Sequence, residues 1–244
     1  FGEYTPPAAA RNIYEKIDDI SFVYKITGCG KKVMTHILWD FSKDGIEPDI
    51  DLVKNVYDYL KEKNLALGMV SPTYFLSGSH KGSFSSYDEN IRKRYIEQTI
   101  FASEVAKKFG SNVISLWFPD GSLYPGQVDL DENYELMKES IKEIYKKISD
   151  DVFVLIEYKL FEPGTYSTTI PDWGTSYLLT KLRKANAGVL IDMGHHPHGV
   201  NVEQIVATLI SEGMRCGFHF NTRYAADDDQ AVEPNPQMAR IFYY

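Results

Sequence analysis

Gly188-Val189-Leu190-Ile191-Asp192-Met193-Gly194-His195-His196 is the stretch whose reading decides the fold. A short, unbroken apolar run bounded by glycine reads as a strand buried on both faces, the kind found in parallel sheets. This one ends on a carboxylate followed by two imidazoles. A carboxylate at the end of so apolar a segment is costly to bury unless a cation or hydrogen-bond donors meet it.

Working outward, the same design recurs. Strands are expected at 33–39, 66–71, 113–118, 152–159, 188–193 and 216–221. Amphipathic helical patterns lie between them. Asp88 caps a helix whose apolar face uses Ile91, Tyr95, Val105 and Phe109, closed by Gly110. Leu136, Ile141, Ile144, Tyr145 and Ile148 form a stripe at helical spacing, and Asn201 caps a third helix carrying Val202, Ile205, Val206 and Leu209. A helix over 9–27 precedes the first strand, and another starts near Asn235.

Strands alternating with helices predict an α/β protein built from repeated βα units. Six strands flanked by helices that lack strand partners fit a (β/α)8 TIM barrel of which the chain carries the second to the seventh strand. The expectation is therefore one barrel domain over 1–244, a fragment lacking the first and eighth strands. With sheet edges left open, that piece is expected to be poorly stable or inactive alone. An open doubly wound sheet is the competing architecture, but no strand is followed by the Gly-rich phosphate-binding turn that accompanies it.

Composition narrows the function. The 244 residues are 43% hydrophobic and 25% charged, ordinary for a folded globular chain. A net charge of -8 and the absence of a Lys/Arg cluster argue against nucleic acid as partner and favour a small molecule. Two cysteines, Cys29 and Cys216, are too few for a disulfide framework or a thiolate metal site and fit a reducing, cytoplasmic setting. No apolar run is long enough for a membrane span, and the start of the chain does not read as a signal peptide.

Residues that could carry chemistry collect at the strand ends. In Ile156-Glu157-Tyr158-Lys159, alternation sends Glu157 and Lys159 to one face and Tyr158 to the other. The pair reads either as a buried salt bridge or as a metal-binding Glu beside a substrate-facing Lys. Asp192 and His195, three residues apart at a strand end and its turn, can reach one point above the rim where barrel active sites form. His219, between Phe218 and Phe220, points inward with Asn221 and Arg223. Asp227, Asp228 and Asp229 follow as an acidic loop. His36, inward with Met34 and Leu38, is a further candidate, as are Trp39 and Trp117 as sugar-stacking aromatics. His196 and His198 read as loop or supporting residues, and His80 as solvent-exposed.

The assembled donors are carboxylates and imidazoles without thiolate. That set suits manganese, magnesium or cobalt better than structural zinc, and six donors can serve two divalent ions. Two such ions beside a lysine can polarise neighbouring oxygens of a polyol or carbonyl substrate.

The chain resembles the L-rhamnose isomerases of the xylose isomerase-like barrel superfamily. The resemblance is carried by His36-Ile37-Leu38-Trp39-Asp40, by Leu116 to Gly121 with Tyr124-Pro125-Gly126-Gln127, and by Glu157 to Pro163. It continues through Asp172 to Tyr177, Asp192 to His196, and Gly217 to Asp229. It implies a metal-dependent aldose-ketose isomerase, a homotetramer favouring manganese, with two ions per subunit. Glu157, Asp192 and His219 then correspond to ligands of the structural metal, and His195, Asp227 and Asp229 to ligands of the catalytic one. Lys159 would contact the sugar near its carbonyl, with Trp117 and His36 lining the pocket.

The chain departs from that pattern at His198 and in the loops around 77–82 and 42–49, where sugar preference is set; a further Asp ligand from the eighth strand lies beyond it. Rival readings are a ketose 3-epimerase of the same superfamily, a metal-dependent nuclease on a similar barrel, and a non-catalytic sugar-binding protein.

Overall fold

The computed structural model describes residues 6–76, 78–123, 126–162, 166–183, 185–221 and 232–244. In chain order the elements are α1 (Ile13–Thr27), β1 (Lys32–His36), α2 (Ile50–Glu62), β2 (Ala66–Ser71), α3 (Glu89–Lys108), β3 (Val113–Leu116) and β4 (Gly121–Ser122). Then come α4 (Leu130–Lys147), β5 (Phe153–Glu157), β6 (Phe161–Glu162), β7 (Tyr166–Thr168), α5 (Trp173–Thr180), β8 (Ala187–Asp192), α6 (Val202–Ser211), β9 (Cys216–His219) and α7 (Pro236–Tyr243).

All six expected strands are present, and most end earlier than the apolar pattern does. The strand expected over 33–39 stops at His36, that over 113–118 at Leu116, that over 152–159 at Glu157, and that over 216–221 at His219. Leu38, Trp39, Trp117, Lys159 and Asn221 therefore lie beyond the ladders. Apolarity outlasts the hydrogen bonding because the first loop residues still pack into the core: Leu38, Phe118 and Tyr158 are all buried. Leu38 accordingly does not continue the Met34–His36 face as alternation had it.

Helix starts follow the side-chain oxygens that accept the first free N–H groups. Asn12, Asp49, Asp129, Asp172, Asn201 and Asn235 all cap in this way. Asp88 accepts from the N–H of Asn90 at 2.9 Å, at the foot of α3. The helices α2 and α5 go beyond those anticipated. The first buries Val53, Val56 and Leu60, and the second is a short element of eight residues.

Two compact units make up the chain, one of 1–73 with 101–114, the other of 74–100 with 115–244. In the first, β1 pairs with β2 and β2 with the start of β3, all parallel. In the second the order is β3, β5, β8, β9, with parallel β5–β8 and β8–β9 pairs. Within each unit neighbouring long strands follow chain order. A doubly wound sheet would reverse direction at a switch point; a βα barrel advances one strand at a time, as these strands do. The short strands β4, β7 and β6 form a separate antiparallel sheet in that order. At two or three residues each they are too brief to leave a periodic signal.

Register in the second unit fixes one face of the sheet. Glu157 lies opposite Leu190, and Asp192 opposite His219. Laterally paired residues of parallel strands project to the same side, as do residues two apart. Glu157, Asp192 and His219 therefore share a face with Leu155, Gly188, Leu190 and Gly217. The two glycines give the larger neighbours room. A Cβ on Gly217 would stand 2.6 Å from Cδ1 of Leu155, and one on Gly188 would stand 2.2 Å from the Arg215 carbonyl oxygen and 2.8 Å from the Phe153 ring.

Only the first of these clashes falls wholly on the end of a flexible side chain. Gly188→Ala is thus expected to destabilise by about 3 kcal/mol and Gly217→Ala by about 1 kcal/mol, the range for overpacked cores. Urea denaturation of both variants measures the difference. Equal losses would contradict the backbone contact at Gly188.

Candidate metal centre

The strand ends bring three ligand-bearing side chains together. Among the described residues, Glu157, Asp192 and His219 form the one group whose carboxylate oxygens and imidazole nitrogen all lie within 4.8 Å of one another. His219 Nδ1 is 3.2 Å from Glu157 Oε1 and 3.4 Å from Asp192 Oδ2. Both carboxylates are buried and the imidazole is half-buried. Its Nε2 is also buried and has no hydrogen-bond partner among the described residues.

The two oxygens of Asp192 do different jobs. Oδ1 accepts from the Gly194 N–H and from the Asn221 amide, each at 2.8 Å. Oδ2 is turned toward His219 and lies 4.0 Å from His195 Nε2. Burial by itself would raise the Asp192 pKa. The hydrogen bond from His219 and the neighbouring His195 outweigh it and hold the carboxyl below its ordinary value. For His219 burial works downward, while hydrogen bonds to Asp192 and Glu157 raise the imidazole to about 10. Two anions facing one imidazole favour a positive charge between them, and an imidazolium or a divalent cation supplies it.

His195 is buried beside this cluster, its Nδ1 2.8 Å from the Tyr158 carbonyl oxygen and 3.4 Å from Glu157 Oε1. Lys159 is buried too, and its ammonium pairs with Glu162 at 3.2 Å. The buried Glu157–Lys159 salt bridge weighed from the sequence therefore gives way to a Lys159–Glu162 pair, because the chain leaves the strand after Glu157 and the β6 segment brings Glu162 back. Lys159 and His195 together line a water-sized cavity of about 30 Å³ with Leu160, Phe161, Gly194, His196 and Pro197. The Lys159 ammonium stands 5.8 Å from the centre of the Trp117 ring, which stacks on Phe75 at 4.9 Å.

His36 lies in the first unit, its ring 4.4 Å from that of Trp39 and tilted 35° to it, with its backbone N–H donating to Asp40. His80 is exposed, as expected. His196 is buried, its Nε2 2.6 Å from the Tyr158 hydroxyl. Arg223, Asp227, Asp228 and Asp229 lie outside the described residues, as do residues 163–165.

Two features escaped the sequence reading. Asp120 is fully buried and accepts from the backbone N–H and hydroxyl groups of both Ser83 and Ser85, tying the loop after β2 to the loop after β3. Just ahead of it, Phe118 stacks on Tyr74 in the core while Trp117 stacks on Phe75 further out. Serines flanking Phe84 carried no periodic signal, although a buried Asp always demands several donors.

Comparison with known proteins gives this geometry a family. Residues 33–230 match the model of the family described as xylose isomerase-like TIM barrel. The chain belongs to that family. A protein named as a probable sugar isomerase of Rhizobium meliloti strain 1021 is 36% identical over 94% of this chain and 53% of its own length. An L-rhamnose isomerase of Bacteroides thetaiotaomicron is 27% identical over 97% of this chain and 58% of its own length. The chain thus spans about half the length of the curated relatives it matches.

Among solved structures of the same fold, a D-psicose 3-epimerase in the presence of D-fructose superposes with a TM-score of 0.66 at 15% identity, covering 93% of this chain and 76% of that one. A xylose isomerase-like TIM barrel protein of Mycobacterium smegmatis in complex with magnesium gives 0.60 at 14% identity, covering 88% and 68%. No helix among the described residues is long and apolar enough to cross a membrane.

The donor chemistry of Glu157, Asp192 and His219 fits a hard or borderline divalent ion: oxygen-rich, one imidazole, no thiolate. Glu157→Gln and Asp192→Asn each remove one anionic ligand. Each is expected to weaken Mn²⁺ or Mg²⁺ binding in calorimetric titration by at least about tenfold, the loss that even supporting residues of a metal site produce. Unchanged affinity in both variants would remove the cluster as a metal centre.

Proposed function

We propose that the chain carries the catalytic centre of a divalent-metal-dependent sugar isomerase that interconverts an aldose and its ketose, with L-rhamnose and L-rhamnulose as the substrate pair. The observation that carries the reading is the convergence of Glu157, Asp192 and His219 at the ends of three neighbouring parallel strands. The sugar isomerase names of the curated relatives support the reaction class, and the L-rhamnose isomerase among them supports the sugar.

Isomerisation transfers the hydrogen of C2 to C1 and the hydroxyl proton of O2 to O1, so the sugar is oxidised at one carbon and reduced at the next. A divalent ion bound by the cluster supplies Lewis-acid stabilisation of the negative charge that develops on those oxygens. Glu157 and Asp192 would contribute the anionic ligands and His219 the neutral one. In this reading His195, with Asp227 and Asp229, would hold a second ion, manganese being the one that the resemblance to the L-rhamnose isomerases implies. Lys159, braced by Glu162 and lying beside Trp117, presents its ammonium to the carbonyl end of the sugar. Trp117 with Phe75 offers an apolar face for the sugar's carbon skeleton.

The test is incubation of the native protein with L-rhamnose and Mn²⁺, with and without chelator, following ketose formation. Ketose is expected with metal and not after chelation. Failure to form ketose from L-rhamnose at any metal concentration would overturn the sugar assignment. Formation of only a C3-epimeric ketose from L-rhamnulose would instead point to epimerisation, which at present rests on a likeness of fold alone.

Lys159→Met is expected to lower kcat/KM by about two orders of magnitude, the scale for losing one electrostatic contact to a developing oxyanion. Metal affinity should hold, because the ammonium is not a ligand. A drop in Mn²⁺ affinity as large as the drop in turnover would refute the substrate role of Lys159.

A further inference from the structure

We infer that Asp120 is a positioning residue of the sugar site: its carboxylate fixes the segment that carries Trp117, and its main-chain carbonyl fixes the segment that places Lys159. The inference deepens the proposed function and rests on the sugar-binding roles read there for Trp117 and Lys159.

A fully buried carboxylate is costly unless donors surround it, and four surround this one. Oδ2 accepts from the N–H groups of Ser83 and Ser85, each at 2.8 Å, and from the Ser85 hydroxyl at 2.6 Å. Oδ1 accepts from the Ser83 hydroxyl. Phe84, between the two serines, is itself fully buried, with its ring centre 4.7 Å from that of Phe118. Segment 83–85 therefore grips segment 118–120 twice, by polar groups at Asp120 and by an aromatic ring at Phe118.

The grip carries outward to Trp117. Tyr74 stacks on Phe118 at 5.0 Å and 12°, and Phe75 stacks on Trp117 at 4.9 Å and 21°. Two consecutive residues of one segment lie on two consecutive residues of the other, so the inner stack registers the outer one. Tyr74 and Phe118 are buried, whereas Phe75 is 49% exposed. The outer stack thus leans on the inner, and the inner is held in place by Phe84 and the Asp120 clamp.

The main chain of Asp120 reaches the other partner. Its carbonyl accepts from the Thr169 N–H at 2.8 Å, and the next two residues pair with Thr168 and Ser167 where β4 meets β7. The same stretch brackets Lys159. The Thr168 hydroxyl donates to the Lys159 carbonyl, and the Lys159 N–H donates to the Ile170 carbonyl at 3.1 Å. Lys159 stands beyond the end of β5, and these bonds place its backbone; from there its ammonium comes to 5.8 Å from the centre of the Trp117 ring. The metal cluster is set by a different device, the register of β5, β8 and β9.

The experiment uses the full native protein carrying fluorotryptophan, with Asp120→Asn and Ser85→Ala as variants. The first turns an amide NH₂ toward N–H and O–H donors; the second removes one hydroxyl and keeps both backbone donors. The fluorine resonance of Trp117, identified by its loss in Trp117→Phe, is expected to move in both variants, and further in Asp120→Asn. Turnover of L-rhamnose per folded molecule is expected to fall by about 100-fold in kcat/KM for Asp120→Asn, the scale for a small misplacement of a reacting group, with Mn²⁺ affinity unchanged. In a Lys159→Met background the same substitution should cost clearly less, because residues that act through one another are not additive. Where Asp120→Asn does not fold, Ser85→Ala carries the same readouts with smaller effects. An unmoved Trp117 resonance, an equal loss of kcat/KM in both backgrounds, or a loss of thermal stability with kcat/KM intact would make Asp120 a brace of the core alone, and the inference would fall with the proposed function standing. If the wild type forms no ketose from L-rhamnose with Mn²⁺, the proposed function falls and takes the inference with it.

Discussion

Two buried carboxylates, Glu157 and Asp192, face one another across a single imidazole. Like charges at such separations in a partly desolvated space repel strongly, so a cation must sit among them or the groups must take up protons. Everything else at this end of the sheet serves to keep them there. The register of β5, β8 and β9 aims the three side chains to one side, and Gly188 and Gly217 clear the space below them for Phe153 and Leu155.

The surroundings divide the polar work. One oxygen of Asp192 is saturated by N–H donors, which leaves the other turned toward the shared space. Lys159 is drawn to Glu162 instead of Glu157, so its charge does not neutralise the cluster. Asp120, held by Ser83 and Ser85, fixes the loop that carries Trp117. An anionic centre, a braced ammonium and an aromatic face are the parts on which the proposed sugar site draws, and membership of the xylose isomerase-like barrel family gives that combination a context.

Much of this was legible in the residues. The six strands announced themselves because parallel strands are buried on both faces and so read as apolar runs, and the helix starts because Asn and Asp precede them. Glu157, Asp192 and His219 could be picked out because each interrupts an apolar run, and a charge there has to be answered. Strand ends were less legible: residues such as Phe118 and Tyr158 remain buried after the hydrogen-bond ladder stops, and hydrophobicity reports burial, not pairing. Glu162 and Ser83 were invisible because short antiparallel segments and serine turns have no period.

Taken alone, the sequence determined the βα alternation, the barrel class and the types of donor available, since these depend on composition and on spacing along one segment. The tertiary structure decided which donors meet. Glu157 and His219 are 62 residues apart, and only lateral strand pairing sets them on the same side at the same height. It also decided partners, giving Lys159 to Glu162 and Tyr158 to His196, because a long side chain beyond the end of a strand is free to turn, and packing, not periodicity, chooses where it goes.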